Sequence, residues 1–213
     1  MKCPFASVQY RCFNRCFALV GLILIASACN KPASLPLLSE SAVIVAFGDS
    51  LTYGTGVGAG DDYPAILARL TAREVINEGV QGEISSAGLA RLPRVLEEYR
   101  PELLILIHGG NDMLRNLPAA QTRANLEAMI ELAHQRDVAV VMLGVPEPRL
   151  FLLSSAEFYE AVAEKAQVPI DLDLLPDILA DNDLKSDMIH PNREGYRRMA
   201  ESLHALLLEG GAL

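Results

Sequence analysis

Short, wholly apolar runs alternate along this chain with longer stretches in which apolar residues recur every three or four positions. Ala42–Phe47 (AVIVAF) is a continuous apolar run closed by Gly48, the pattern of a strand buried on both faces. Glu74–Asn77 is a shorter strand pattern. Glu102–Ile107 (ELLILI) is the most apolar of the set, Val138–Leu143 is a fourth strand and Val168–Leu172 a fifth. Helical patterns lie between them. One opens after Asp61 and Asp62 at Pro64 and runs to about Thr71. Ser85–Tyr99 is the next, with Ser85 or Ser86 as its expected N-cap and Pro93 expected to end or kink its first segment. Pro118–Arg136 carries Leu126, Met129, Ile130 and Ala133 at helical spacing, which gives it one core-facing stripe. Ala156–Gln167 and Asn192–Leu208 complete the series.

Such alternation predicts an α/β fold: a three-layer α/β/α sandwich around a central five-stranded parallel sheet, flavodoxin-like in kind. Functional residues in these sheets gather beyond the carboxyl ends of the strands. Ser50 follows the first strand, Gly82 the second and Asn111 the third.

Composition changes the picture at the N-terminus. The chain has 213 residues, 51% hydrophobic and 21% charged, which suits one domain with a sizeable core. Residues 1–28 differ from the rest: Lys2, Arg11 and Arg15 are basic, no acid precedes Glu40, and an apolar run spans Phe17–Ala28. That run is short for a membrane span and has the layout of a signal peptide. Ala26-Ser27-Ala28 is a small-residue cleavage site followed directly by Cys29. The other cysteines, Cys3, Cys12 and Cys16, all lie before it, so cleavage leaves Cys29 alone and excludes an internal disulfide.

Ile25-Ala26-Ser27-Ala28-Cys29 resembles the lipobox of bacterial lipoproteins, which implies lipidation of Cys29, and Asn30 resembles the outer-membrane sorting pattern. Cleavage by an ordinary signal peptidase, giving a free periplasmic or secreted protein, is the alternative, and an uncleaved anchor is a third. Residues 29–41 then form a lipidated cysteine and a Pro- and Ser-rich tether, and residues 42–213 the domain. Removal of residues 1–28 leaves 15 basic against 27 acidic residues, a formal net charge of −12. That acidity argues against nucleic acid as a partner.

The candidate chemistry sits in four blocks. A serine follows the first strand in Gly48-Asp49-Ser50-Leu51. Asp187 and His190 are three residues apart in Asp187-Met188-Ile189-His190-Pro191-Asn192, so one loop supplies both. A serine hydroxyl needs a base to take its proton, and the base needs a carboxylate to fix its tautomer. Gly82 and Gly109-Gly110-Asn111-Asp112 lie between. His108 is a rival base, but strand alternation aims it away from the reacting edge; His134 and His204 fall in helices. Asp49 reads as a residue holding the nucleophile loop, and Asp112 as one that bonds nearby backbone amides.

The four blocks in this order resemble the SGNH (GDSL-type) hydrolase family over roughly residues 42–208, and Gly88-Leu89-Ala90-Arg91-Leu92-Pro93 is similar to its bacterial secreted thioesterase/lysophospholipase/arylesterase branch. The resemblance implies Ser50 as nucleophile, His190 as general base and Asp187 as its partner. It also implies an oxyanion hole from the N–H of Ser50, the N–H of Gly82 and the amide of Asn111, with Gly79 as the alternative to Gly82. No GxSxG elbow occurs, which argues against the α/β-hydrolase fold.

The expected activity is hydrolysis of a small-molecule or lipid ester in the cell envelope, without cofactor or metal, with the membrane reached through a lipid on Cys29. The alternatives are an O-acetylesterase acting on carbohydrate or peptidoglycan, and a decayed hydrolase that only binds lipid or glycan. The glycines of residues 54–60 lack the GK[ST] ending of a phosphate-binding loop. The loop Leu143–Leu153, with Pro146, Arg149 and Phe151, is placed to wall an acyl pocket.

Overall fold

The computed structural model describes residues 34–147 and 153–213. The leader expected over residues 1–28 and Cys29 lie outside the described residues, as do Arg149 and Phe151. The elements run β1 (Val43–Gly48), α1 (Ser50–Tyr53), α2 (Tyr63–Thr71), β2 (Glu74–Gly79), α3 (Ser85–Tyr99), β3 (Leu103–Ile107), α4 (Gly110–Leu114), α5 (Ala119–His134), β4 (Ala139–Leu143), α6 (Phe158–Ala166), β5 (Ile170–Asp171), α7 (Leu174–Ala180) and α8 (Arg193–Glu209).

The five strands form one parallel sheet in the order β2-β1-β3-β4-β5. The three central strands are the three most apolar runs, and their interior residues are buried on both faces. Helices flank the sheet: α2 and α7 pack on α8, while α3 and α6 pack on α5. The chain steps from β1 to β2 on one side and then to β3 on the other. The crevice where the order reverses therefore lies beyond the carboxyl ends of β1 and β3.

Several sequence expectations shift. β2 reaches Gly79, two residues past its apolar stretch, because Phe47 and Gly48 of β1 pair with Glu78 and Gly79. β5 shrinks to two residues at the sheet edge. Pro93 does not end α3, whose buried positions Gly88, Leu92, Val95 and Leu96 lie on both sides of it; that continuous packing face outweighs the lost backbone hydrogen bond. Neither Ser85 nor Ser86 is the N-cap of α3. Ile84 occupies that position, and the first amide of the helix, on Ser85, donates to the carboxylate of Asp112 (2.7 Å). The short helices α1 and α4 are too brief to show a period. In α7, Pro176 sits in the first turn, where its missing N–H costs nothing.

The segment read as a tether is docked from Leu35 onward. Leu35 N donates to Gly210 O (2.8 Å) and Leu38 N to Ala212 O (2.9 Å), so the arm clasps the chain just past α8. Ser39 donates through its N (2.9 Å) and Oγ (2.5 Å) to Glu102, and Arg73 Nε donates to Ser39 O (3.0 Å). Leu38 is buried in the core. Its apolar side chain, spaced three residues from Leu35, explains why a Pro- and Ser-rich stretch packs. Leu38→Ala is expected to destabilise the fold by about 2–3 kcal/mol. Urea denaturation checks this, and an unshifted midpoint would mean that the arm adds nothing.

Candidate active site

β1 carries Gly48, and just past it Asp49 and Ser50, to the carboxyl end of the sheet. A Cβ on Gly48 would lie 2.1 Å from Ile107 O of β3 and 2.5 Å from Thr52 Oγ1, so only glycine lets the turn after β1 close against β3. Asp49 then caps α1: its Oδ1 accepts from Leu51 N (3.1 Å), and its Oδ2 accepts from Asn111 Nδ2 (3.1 Å). Burial pushes the Asp49 carboxyl above its ordinary value, and these hydrogen bonds partly offset it. Asp49 thus holds both the turn that carries Ser50 and the Asn111 amide. Behind the turn, the buried Tyr196 of α8 donates to Thr55 O (3.1 Å). Sequence reading missed this brace, because nothing separates Tyr196 from any other buried aromatic on its helix.

Ser50, His190 and Asp187 come together. His190 Nε2 lies 2.9 Å from Ser50 Oγ, and His190 Nδ1 lies 2.8 Å from Asp187 Oδ2. Asp187 Oδ1 accepts from Ile189 N (2.8 Å) and His190 N (2.9 Å), so one oxygen shapes the loop and the other holds the ring. Burial acts to raise the Asp187 carboxyl, but the hydrogen bond from His190, those from the loop amides and the His190 charge outweigh it and hold it below the ordinary range. With Nδ1 facing a carboxylate, the ring proton sits on Nδ1 and the Nε2 lone pair faces the serine hydroxyl. The loop is braced at its end: Asn192 caps α8 through Gly195 N (3.1 Å) and donates to Asp183 O (2.8 Å).

The polar groups around the serine divide clearly. Asn111 gives one amide hydrogen to Asp49 and keeps a second. Gly79 N donates to Asn77 Oδ1 (2.9 Å), which occupies the alternative donor. The N–H groups of Ser50 and Gly82 donate to no acceptor among the described residues. Gly82 has φ +71°, and its carbonyl accepts from Arg115 Nη2 (2.7 Å), just past α4. It does not line the cavity described next.

That cavity, of about 320 Å³, has Ser50, Asn111 and His190 at its polar end. Its walls are apolar and include Leu51, Leu114, Val145, Leu153, Leu179 and Ile189. Val145, Pro146 and Leu153 come from the loop after β4, so the described part of that loop does wall the cavity.

Two further carboxylates are held away from the serine. Asp112 accepts from Ser85 N, from Ser85 Oγ (2.5 Å) and from Thr122 Oγ1 (3.3 Å), joining α4 to α3 and α5. Glu83 accepts from Arg91 Nε (2.9 Å) and Nη2 (3.0 Å), and lies 3.1 Å from His108 Nε2. His108 therefore faces Glu83 under α3 and not the serine, which removes it as a rival base. Among the described residues, no cluster of His, Cys, Asp and Glu is arranged to hold a metal.

A parallel α/β/α sheet with a serine, a glycine loop, an asparagine and a DxxH loop at the carboxyl ends of its strands is a hydrolase architecture. The chain belongs to the GDSL-like lipase/acylhydrolase family, whose pattern it matches over residues 46–198. It is a carboxylic ester hydrolase. It is 29% identical to the esterase TesA of Pseudomonas aeruginosa over 192 residues, 84% of this chain and 94% of that protein. It is 28% identical to the thioesterase 1/protease 1/lysophospholipase L1 of Escherichia coli, over 74% of this chain and 79% of that one. The crystal structure of AlinE4, an SGNH-hydrolase family esterase, superposes with a TM-score of 0.61 at 32% identity, covering 81% of this chain and 97% of that chain.

Burial acts to raise the Glu83 carboxyl, but the hydrogen bonds from His108 and Arg91 and the Arg91 charge hold it below its ordinary value. A depressed carboxyl contributes stability that is present above the unfolded value and is lost as pH falls through the folded one. The stability gap between wild type and Glu83→Gln is therefore expected to narrow as pH drops from about 7 to about 3. Thermal melts across that range check it; a constant gap would mean that the charge contributes nothing.

Proposed function

We propose that this hydrolase works through a covalent acyl-serine at Ser50, with His190 as general base and Asp187 as its orienting partner. The observation that carries the reading is the continuous relay from Asp187 through His190 to Ser50, opening at the polar end of an apolar cavity.

The chemistry follows from the atoms. His190 Nε2 takes the Ser50 hydroxyl proton as Oγ attacks the ester carbonyl. Negative charge develops on the former carbonyl oxygen, and Ser50 N–H, Gly82 N–H and the remaining Asn111 amide hydrogen are the donors for it. Each such donor is worth on the order of 10²–10³ in rate. Collapse expels the alcohol or thiol, which takes the proton from Nε2. The same nitrogen then activates the water that releases the acid. Asp187 holds the ring in the required tautomer and faces the imidazolium that forms.

The apolar walls favour a substrate whose acyl part is a hydrocarbon chain, in esters or thioesters of small molecules or lipids. An O-acetyl group on a carbohydrate would leave most of that wall unused. The names esterase, thioesterase and lysophospholipase of the relatives point the same way.

The site of action is the cell envelope, with a lipid on Cys29 as the membrane attachment; the support is the Ile25–Cys29 pattern and the absence of any further cysteine after Cys29 in the sequence. Among the described residues, no helix is long and apolar enough to cross a membrane. Cys29→Ser is expected to move the expressed full chain from the membrane to the soluble fraction, and unchanged partition would overturn the anchor.

Hydrolysis of p-nitrophenyl acetate, butyrate and palmitate tests the mechanism. Ser50→Ala is expected to abolish release, and Asp187→Asn to keep the fold and lower kcat by about 10³–10⁴. Near-normal turnover in either variant would remove that residue from the mechanism.

A further inference from the structure

His108 is buried, makes a hydrogen bond from each ring nitrogen, and plays no part in the proton relay. Its Nδ1 accepts from the backbone N–H of Gly109 (3.0 Å). An acceptor nitrogen carries no proton, so the ring proton sits on Nε2 and is donated to Glu83 Oε2 (3.1 Å). The ring is thus locked in one tautomer between two loops. Glu83 follows Gly82 directly in sequence, and Gly109 precedes Asn111 by two positions.

Each end of this bridge is anchored further. The Arg91 guanidinium that grips Glu83 also donates from Nη2 to Glu78 O (2.7 Å), at the end of β2, and from Nη1 to Glu78 Oε2 (2.9 Å); it lies 4.0 Å above the Phe47 ring of β1. On the other side, Tyr159 donates to His108 O (2.8 Å). The space for the imidazole comes from α3. A Cβ on Gly88 would stand 2.4 Å from His108 Nε2 and 3.3 Å from Glu83 Oε2.

We infer that His108 is a positioning residue, a rigid spacer that sets the distance between two of the three oxyanion donors, Gly82 N–H and the Asn111 amide. This rests on the oxyanion reading above. The physical reason is stiffness: a planar ring with a hydrogen bond at each nitrogen, packed on every side, transmits the position of one loop to the other. Donors must sit within a few tenths of an ångström of where the oxyanion forms, not of where the ground-state carbonyl lies. A spacer of this kind acts on kcat and leaves KM alone.

The test uses the full-chain protein and p-nitrophenyl butyrate. His108→Leu removes both bonds and is expected to lower kcat by about ten- to a hundredfold with KM little changed. His108→Asn keeps an acceptor near Gly109 N–H, and His108→Gln keeps a donor that reaches Glu83; each is expected to recover part of the loss. If His108→Leu does not fold, these two variants and Gly88→Ala, which crowds the ring, carry the test, each expected to lower kcat at constant KM. Wild-type kcat per folded molecule in His108→Leu, or in all three others where that variant does not fold, would overturn the proposal. So would a rise in KM with kcat intact. Asn111→Ala on the same ester separates the two readings: full activity there overturns the oxyanion hole and the spacer with it, whereas a loss in Asn111→Ala beside normal His108 variants overturns the spacer alone.

Discussion

The reacting end of this molecule depends on how closely β1 and β3 meet at Gly48. With no side chain there, the turn after β1 folds down onto the carbonyl of Ile107 and α1 begins at once. That contact puts the Asp49 carboxylate within reach of Asn111, which leaves β3 on the neighbouring path. The backbone N–H of Ser50 has no acceptor among the described residues. A single methyl group at position 48 would stand 2.1 Å from Ile107 O, so the two strand ends would have to part.

Among the described residues every buried polar side-chain atom has a hydrogen-bond partner, and several of these bonds join elements that the hydrophobic core alone would leave loosely placed. Asp112 ties α3, α4 and α5 through Ser85 and Thr122, and Asn125 donates onward to Ser85 Oγ (2.8 Å). Arg91 ties α3 to the end of β2 and to the loop beyond it. Apolar packing sets the distance between layers but tolerates small sliding, whereas directional bonds in a low-dielectric interior do not. A site that must hold several donors at fixed spacing gains from the second kind of contact.

Much of this was legible in the sequence. β1, β3 and β4 are continuous apolar runs because both faces of a central parallel strand are covered, and α3, α5 and α8 show their buried stripes plainly. Asp187 and His190 read as partners because one tight loop holds both. What escaped has physical reasons. Helices of four or five residues, such as α1 and α4, have no period to detect. Pro93 reads as a breaker locally, yet tertiary packing carries α3 through it. The arm at Leu35–Ser39 has the composition of a linker and is held by two leucines, two backbone bonds and the side chains of Glu102 and Arg73. The Glu83–Arg91–His108 cluster joins side chains at spacings that match no local rule, and only the folded sheet brings them together.

The docked arm also fixes where the chain enters this domain. It meets the chain at Gly210 and Ala212, past the far end of α8, whose first residue follows the His190 loop almost immediately. A helix of 17 residues spans about 25 Å. The entry of the chain into the domain and the Ser50–His190 pair therefore lie toward opposite ends of α8. A pull on the arm at Leu35 would first meet its clasp with the C-terminal residues, at the end of α8 away from Ser50 and His190.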